Sequence, residues 1–280
     1  MRLVSRYLSA PISRWLRYER PQLDVPMSNF DRIRRELRPC DVLLVEGRSR
    51  ISDAIKAVTQ SPWSHAALYV GRLHDVEDES ARRTLARQSG LPPEEQLIIE
   101  SQLGYGTVVR SLGIYEDEHL RICRPQGLSG EDASQVVSYA INRLGVPYDV
   151  RQIFDLARFL IPWAFLPRRW RSSLFTAAVG DETRTVCSTM IAEAFGAVQF
   201  PILPLVQRTE DDDVHLYRRN PKLCTPSNFD YSPYFEIIKY PFVDFSTSPA
   251  YKLLPWSSDD ASAPTEAAIA VHGKPKKKPG

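Results

Sequence analysis

Hydrophobic positions in this chain recur with two periods, and each period predicts a different element. Asp41-Val42-Leu43-Leu44-Val45 is a short β-rich apolar run and predicts a strand. His65-Ala66-Ala67-Leu68-Tyr69-Val70 predicts a second strand, stopped by Gly71, and Leu97-Ile98-Ile99-Glu100 a third. Thr107-Val108-Val109 and the run from His119 to Cys123 continue the series, with Gly104-Tyr105-Gly106 as a turn. Strands that follow one another through short turns pair antiparallel.

The second period is helical. Ile51, Ile55 and Val58 predict a helix over residues 49–59, capped by Ser49 or Ser52 and broken by Pro62. Ala133, Val136, Val137, Ala140, Ile141 and Leu144 form the clearest stripe, started by Ser129 or Asp132 and stopped by Gly145 and Pro147. Ile153 to Ile161 predicts another apolar helix, which runs into an aromatic and basic stretch ending at Arg171. A further helix starts at Cys187, with Met190, Ile191, Ala194 and Phe195 inward. Residues 72–95 are charged, lack strong periodicity and read as an excursion from the core. No internal repeat is visible.

The ends differ from the middle. In residues 1–20, Leu8, Ile12, Trp15 and Leu16 fall near helical spacing among Arg6, Arg14, Arg17 and Arg20. That pattern suits a helix docked on the domain or an interfacial helix lying on a membrane. From Ser257 the chain is rich in Ala, Ser, Pro and Lys, a composition that predicts a disordered tail. The expected organisation is an arm over residues 1–27, one domain over 28–256 and a tail over 257–280.

Composition adds little beyond class. The chain has 280 residues, 43% hydrophobic and 25% charged, which allows a sizeable core. A net charge of +2 gives no argument for nucleic acid. The four cysteines, Cys40, Cys123, Cys187 and Cys224, include no CxxC pair, so a structural zinc is not expected, and neither is a cofactor. The N-terminus is a poor secretory signal, and no stretch approaches the ~18 apolar residues of a spanning helix. A reducing cytoplasm is the expected compartment, with peripheral membrane contact as the variant reading.

Three residues could carry chemistry. Cys187 sits at a helix start, where the positive end of the helix dipole favours thiolate, the reactive form. The same position also suits an inert, buried helical cysteine. His65 opens a strand, so its ring has a fixed place from which a neutral imidazole could take a thiol proton. A histidine merely packed at a sheet edge fits as well. Glu100 ends an apolar run and is either solvated or turned toward a partner such as a catalytic base. Rival groupings are poorer. His119 and Cys123 share a strand face but lie ~13 Å apart. Ser188 lacks the Gly-x-Ser-x-Gly context of a hydrolase elbow. Glu210-Asp211-Asp212-Asp213 fits no calcium loop.

Taken together, the motifs resemble a family. Asp41 to Val45, Ser61-Pro62-Trp63-Ser64-His65 to Gly71, Glu100-Ser101, Gly145-Val146-Pro147-Tyr148-Asp149, Val186-Cys187-Ser188 and Thr225 to Phe235 follow, in order, the permuted papain-like branch of the NlpC cysteine hydrolases, the YiiX-like amidases. The resemblance spans about residues 37–240. Many relatives carry glycine where Cys40 stands. The resemblance implies an α+β, circularly permuted papain-like fold, an antiparallel sheet packed against helices, with the histidine preceding the cysteine. It implies Cys187 as nucleophile, His65 as base and Glu100 as the group that orients it. It also implies substrate contacts at Tyr148, Trp63 and Ser188, with Tyr148 or backbone amides near Cys187 stabilising an oxyanion.

The expected function is a cysteine-dependent amidase or peptidase acting through an acyl-thiol intermediate on a small-molecule, peptide or lipid acyl substrate. Two other classes stay open: a lipid-directed thiol acyltransferase or esterase at a membrane surface, and a non-catalytic binding module or adaptor that keeps the fold. Residues 159–170 suit an acyl-binding groove or an ordinary core helix with solvated arginines. The oligomeric state and the acyl acceptor are not legible.

Overall fold

The structure, a computed structural model, describes residues 27–102, 105–146, 186–208 and 213–243. The expected helix over 153–161, the stretch 159–170, Tyr148 and most of both termini lie outside the described residues. Within them, helix α1 (Phe30–Glu36) leads into strand β1 (Val42–Glu46), helix α2 (Arg50–Thr59) and strand β2 (His65–Gly71). Helix α3 (Glu79–Ser89), strands β3 (Leu97–Gln102), β4 (Gly106–Ser111) and β5 (His119–Pro125), and helix α4 (Gly130–Asn142) follow. Helix α5 (Val186–Ala197), the strands β6 (Leu205–Arg208) and β7 (Val214–Tyr217), helix α6 (Pro226–Tyr231) and strand β8 (Phe235–Ile238) complete the order.

One six-stranded sheet organises these elements in the order β4-β3-β2-β1-β5-β8, and its strand pairs are antiparallel. The central strand β1 lies between β2 and β5, with Leu44 opposite both Ala66 and Arg121. That position explains why its sequence is a continuous apolar run: both faces are covered. Val42, Leu44, Ala66, Leu68, Leu97 and Ile99 face one core, filled by Val136 and Ala140 of α4 and by Ile191, Ala194 and Phe195 of α5. Leu43, Val45, Ala67, Tyr69, Ile98 and Ile122 alternate onto the other face, under Ile33 of α1 and Leu37.

Local chemistry sets the helix ends. Asn29 accepts the Arg32 amide, Ser49 the Ser52 amide and Ser129 the Asp132 amide, each satisfying a donor that the first turn leaves orphaned. Of the two caps foreseen for α2, Ser49 is used. Gly71 closes β2 with φ +85, and a Cβ there would stand 2.7 Å from Asp75 Oδ2, so any larger residue would be both strained and crowded. Cys40 also adopts a positive φ, +76. The backbone at this turn needs the left-handed region, which costs an L side chain roughly 1–2 kcal/mol.

Two features differ from expectation. Residues 72–95 are no bare excursion: α3 forms there, capped by Asp78, whose side chain accepts from Ser80 and Ala81, and closed by Gly90 at φ +60. Its buried stripe is only Ala81 and Leu85, too thin to show as periodicity among arginines. The hairpin β6–β7 also leaves no sequence pattern, because its residues are exposed on both faces and lack the alternation of a half-buried strand.

The start of β1 is fixed by an ion pair. Asp41, 1% exposed, accepts from Arg124 Nε at 3.0 Å and Nη2 at 2.8 Å, and from the Arg38 amide at 2.8 Å. Arg124 also donates to the Glu36 carbonyl at 2.7 Å, tying α1 to β5.

Candidate active site

Strands β2 and β3 bring His65 and Glu100 together from 35 residues apart: His65 Nε2 lies 2.7 Å from Glu100 Oε2. His65 is the first residue of β2, and its side chain stays 22% exposed, whereas that of Glu100 is 2% exposed. A buried carboxylate needs partners, and Glu100 has three. Besides His65, the Tyr115 hydroxyl donates to the same oxygen Oε2, and Arg110 Nε stands 3.7 Å from Oε1. Burial by itself pushes the Glu100 carboxyl up. The His65 charge, the hydrogen bonds from His65 and Tyr115, and the Arg110 charge together outweigh burial and hold it below its ordinary value. An ionised Glu100 can only accept, so Nε2 is the donor, and in a neutral ring the lone pair falls on Nδ1.

Tyr115 and Arg110 carry no sequence signal that points to the site. Tyr115 sits in a one-turn 3₁₀ segment, Leu112–Tyr115, after β4. Arg110 is legible only through register: it pairs with Ile98, two residues from Glu100 and on the same sheet face. Replacing Tyr115 by phenylalanine removes a donor to a charged acceptor, an interaction worth about 1.5–3 kcal/mol. The sign follows from linkage. A carboxyl held below its unfolded value of 4.5 contributes stability above that pH and loses it as pH falls. Urea unfolding midpoints should therefore separate wild type from Tyr115→Phe near neutral pH and converge in acid. Equal separation at both would show that the tyrosine acts by packing and not through Glu100.

The thiols of Cys40, Cys123 and Cys224 are buried. Cys40 donates to the Ala133 carbonyl at 3.1 Å, and burial with the adjacent Asp41 charge pushes it up to about 12. Burial, with the Asp230 charge, likewise pushes Cys123 up. Neither can supply thiolate near neutral pH. Cys187 is the second residue of α5; its side chain lies outside the described set.

Of the expected substrate contacts, Trp63 and Ser188 are not available as surfaces. Trp63 is 1% exposed; its indole N–H donates to Asp230 Oδ2 at 3.1 Å, and the Arg121 guanidinium sits 4.6 Å over its ring. It wedges the turn that enters β2. Ser188 is fully buried and gives its hydroxyl proton to the Cys224 carbonyl, anchoring α5 to the segment before α6. The resemblance implies substrate contacts at both positions, and both side chains are buried.

A second histidine–carboxylate contact lies on the neighbouring strands. His119 Nδ1 is 3.0 Å from Glu46 Oε2, and Lys56 Nζ is 3.1 Å from Glu46 Oε1. The hydrogen bond from His119 is the main reason the Glu46 carboxyl is lowered to about 2. No helix among the described residues is long and apolar enough to cross a membrane.

No curated protein matches the chain. The matched stretch in the family comparison runs from the end of α1 through α4 and includes His65 and Glu100 but stops short of Cys187. Residues 36–157 match the model of the permuted papain-like amidase enzymes, YaeF/YiiX type, C92 family, and the fold is the permuted papain-like one, α+β with its antiparallel sheet between helices.

Proposed function

We propose that this protein is a cysteine-dependent amidase in which Cys187 is the nucleophile, His65 the general base and Glu100 the residue that orients His65. The observation that carries this reading is the 2.7 Å contact between His65 Nε2 and a buried, ionised Glu100. It gives the imidazole one tautomer and one ring orientation, which is what the third member of a triad does.

The chain path supports the choice of thiol. Helix α5 packs against β2 and β3, the strands that carry His65 and Glu100. Near its C-terminal end, Phe195 meets Phe235, which pairs with Pro125 at the far end of the sheet. The opposite end of α5, where Cys187 stands, is thereby directed toward the end of the sheet at which β2 begins. By alternation His65 and Glu100 lie on the Ala67–Ile98 face and α5 on the Leu68–Ile99 face. The reaction therefore takes place at the strand end, with Cys187 meeting His65 around the first residue of β2.

In the reaction, His65 Nδ1 takes the thiol proton and the thiolate attacks the substrate carbonyl. The imidazolium then returns a proton to the leaving amine, which leaves an acyl-thioester on Cys187 and a neutral ring. Water, deprotonated by the same nitrogen, hydrolyses the thioester. Glu100 stays ionised throughout and stabilises the imidazolium. Treatment with p-nitrophenyl acetate should release a burst of one nitrophenolate per chain, and mass mapping should find acetyl on Cys187. Acetyl spread over several cysteines, or absent from Cys187, would sink the assignment.

A further inference from the structure

A polar cleft lies away from this site. It has a volume of about 620 Å³ and is lined by Asp31, Arg34, Arg35, Arg38, Arg72 and Asp75, among others, with Tyr69 and Gln96 also in its lining. Tyr69 shares a sheet face with His65 and lies four residues further along β2, ~13 Å away. The side chains of Ala67, Val45 and Ile98 fill that face between them. The cleft is therefore separate from the His65–Glu100 pair.

Its charge is unbalanced. Four guanidiniums face two carboxylates. Arg38 has Glu36 at 3.6 Å and Arg72 donates to the Glu94 carbonyl at 3.2 Å. Arg34 and Arg35 have no ion-pair partner among the described residues. Tyr69 and Gln96 add a second, independent feature. Tyr69 is 2% exposed and Gln96 8%. Gln96 Nε2 donates to both the Arg34 carbonyl and the Tyr69 hydroxyl, each at 2.8 Å. The Tyr69 oxygen is thus an acceptor already, and its own proton has no acceptor among the described residues. Burial pushes Tyr69 up, so that proton is retained. A buried hydroxyl donor without a partner is costly unless something in the cleft accepts from it.

We infer that this cleft, formed by the end of α1, Tyr69 and Gln96, binds a phosphate monoester, with Arg34 and Arg35 holding the dianion and Tyr69 donating to it. Guanidinium forks match phosphate oxygens two at a time. Asp31 and Asp75 leave acceptors for hydroxyl or amine groups on the rest of the ligand, and the volume suits a small molecule. The same phosphomonoester chemistry could come from a soluble metabolite or from a lipid headgroup.

The experiment uses the full chain in thermal unfolding with inorganic phosphate, sodium chloride being adjusted to constant ionic strength, beside sedimentation with phosphatidic-acid vesicles. Saturable stabilisation by phosphate is expected. It should weaken at least tenfold in R34Q/R35Q, whose replaced side chains are exposed, and also in Tyr69→Phe, which keeps the ring. If the source is lipid, wild type also sediments with the vesicles, phosphate competes, and R34Q/R35Q stays in solution. If it is soluble, vesicle binding is unaffected by the substitutions. A phosphate response identical in wild type and R34Q/R35Q, or no response in wild type, overturns the inference. Neither readout depends on amidase activity, so a failure here leaves the reading of Cys187 untouched.

Discussion

Replacing His65 by alanine is expected to slow acyl transfer to Cys187 by about 10²- to 10⁴-fold, the usual contribution of a positioned acid–base group. The ring does two things that alanine cannot. In the proposed mechanism it takes the thiol proton, and as a cation it stabilises the thiolate that remains. The effect should appear in the burst rate with p-nitrophenyl acetate at saturating ester. His119→Ala is the control, because His119 also touches a carboxylate, Glu46, on the neighbouring strands. Its Glu46 partner is shared with Lys56, and His65 meets Glu100 across the pair β2–β3, in which neither Glu46 nor His119 lies. That variant should keep the burst rate within about twofold, far inside the range that marks a lost base. Equal losses in the two variants would mean that histidine substitution merely loosens the sheet.

The second large effect is on stability. Arg124→Met should destabilise the domain by about 3–5 kcal/mol, because it strands the Asp41 carboxylate in the core. In a domain of this size each kcal/mol moves the melting midpoint by roughly 2–4 °C, so a fall of about 6–20 °C is expected. The pH dependence has a definite sign. Burial already pushes the Asp41 carboxyl up, with Arg124 the chief opposing influence. Without Arg124 the native state holds its proton still more tightly than the unfolded chain, so stability falls as pH rises above the unfolded value. The loss in Arg124→Met should therefore be smaller near pH 5 than near pH 8. Adding Asp41→Leu should recover part of it, since two apolar groups tolerate burial better than one unpaired charge. A double variant no more stable than the single one would place the effect in the Arg124 contacts to Glu36 instead.

These effects rest on geometry that sequence reveals unevenly. The strands of the main sheet from β1 to β5 are visible as apolar runs because most of them are covered on both faces, and α4 because its stripe is four residues deep. Helix α3 is hidden: only Ala81 and Leu85 reach the core, and the charged residues around them look like a loop. The pairing of His65 with Glu100 cannot be read from a spacing of 35 residues. It depends on β2 and β3 being neighbours in a register that places Leu68 opposite Ile99, and resemblance supplied what pattern could not. Tyr115 and Arg110 reach Glu100 through that same register and a one-turn 3₁₀ segment, so no local motif announces them. The long-range partner of Trp63 is hidden in the same way. An aromatic beside a candidate base invites a substrate-contact reading, yet Asp230, 167 residues later, claims its indole.

In the proposed triad His65 makes Cys187 a thiolate at neutral pH. Alkylation of the folded protein with iodoacetamide from about pH 5 to 9, with mass mapping of each cysteine, tests it most directly. An ordinary thiol ionises near 8.5 and is almost unreactive at pH 5.5. A thiol lowered by several units is mostly thiolate there, although its weaker basicity gives back part of the gain, so an advantage of roughly tenfold is expected at pH 5.5. Cys187 should be alkylated at pH 5.5 while Cys40, Cys123 and Cys224 are not, His65→Ala should remove this acid-side reactivity, and the two proteins should converge near pH 9. If Cys187 titrates like a free thiol in wild type, and His65→Ala leaves its profile unchanged, the activated pair does not exist and the amidase reading falls.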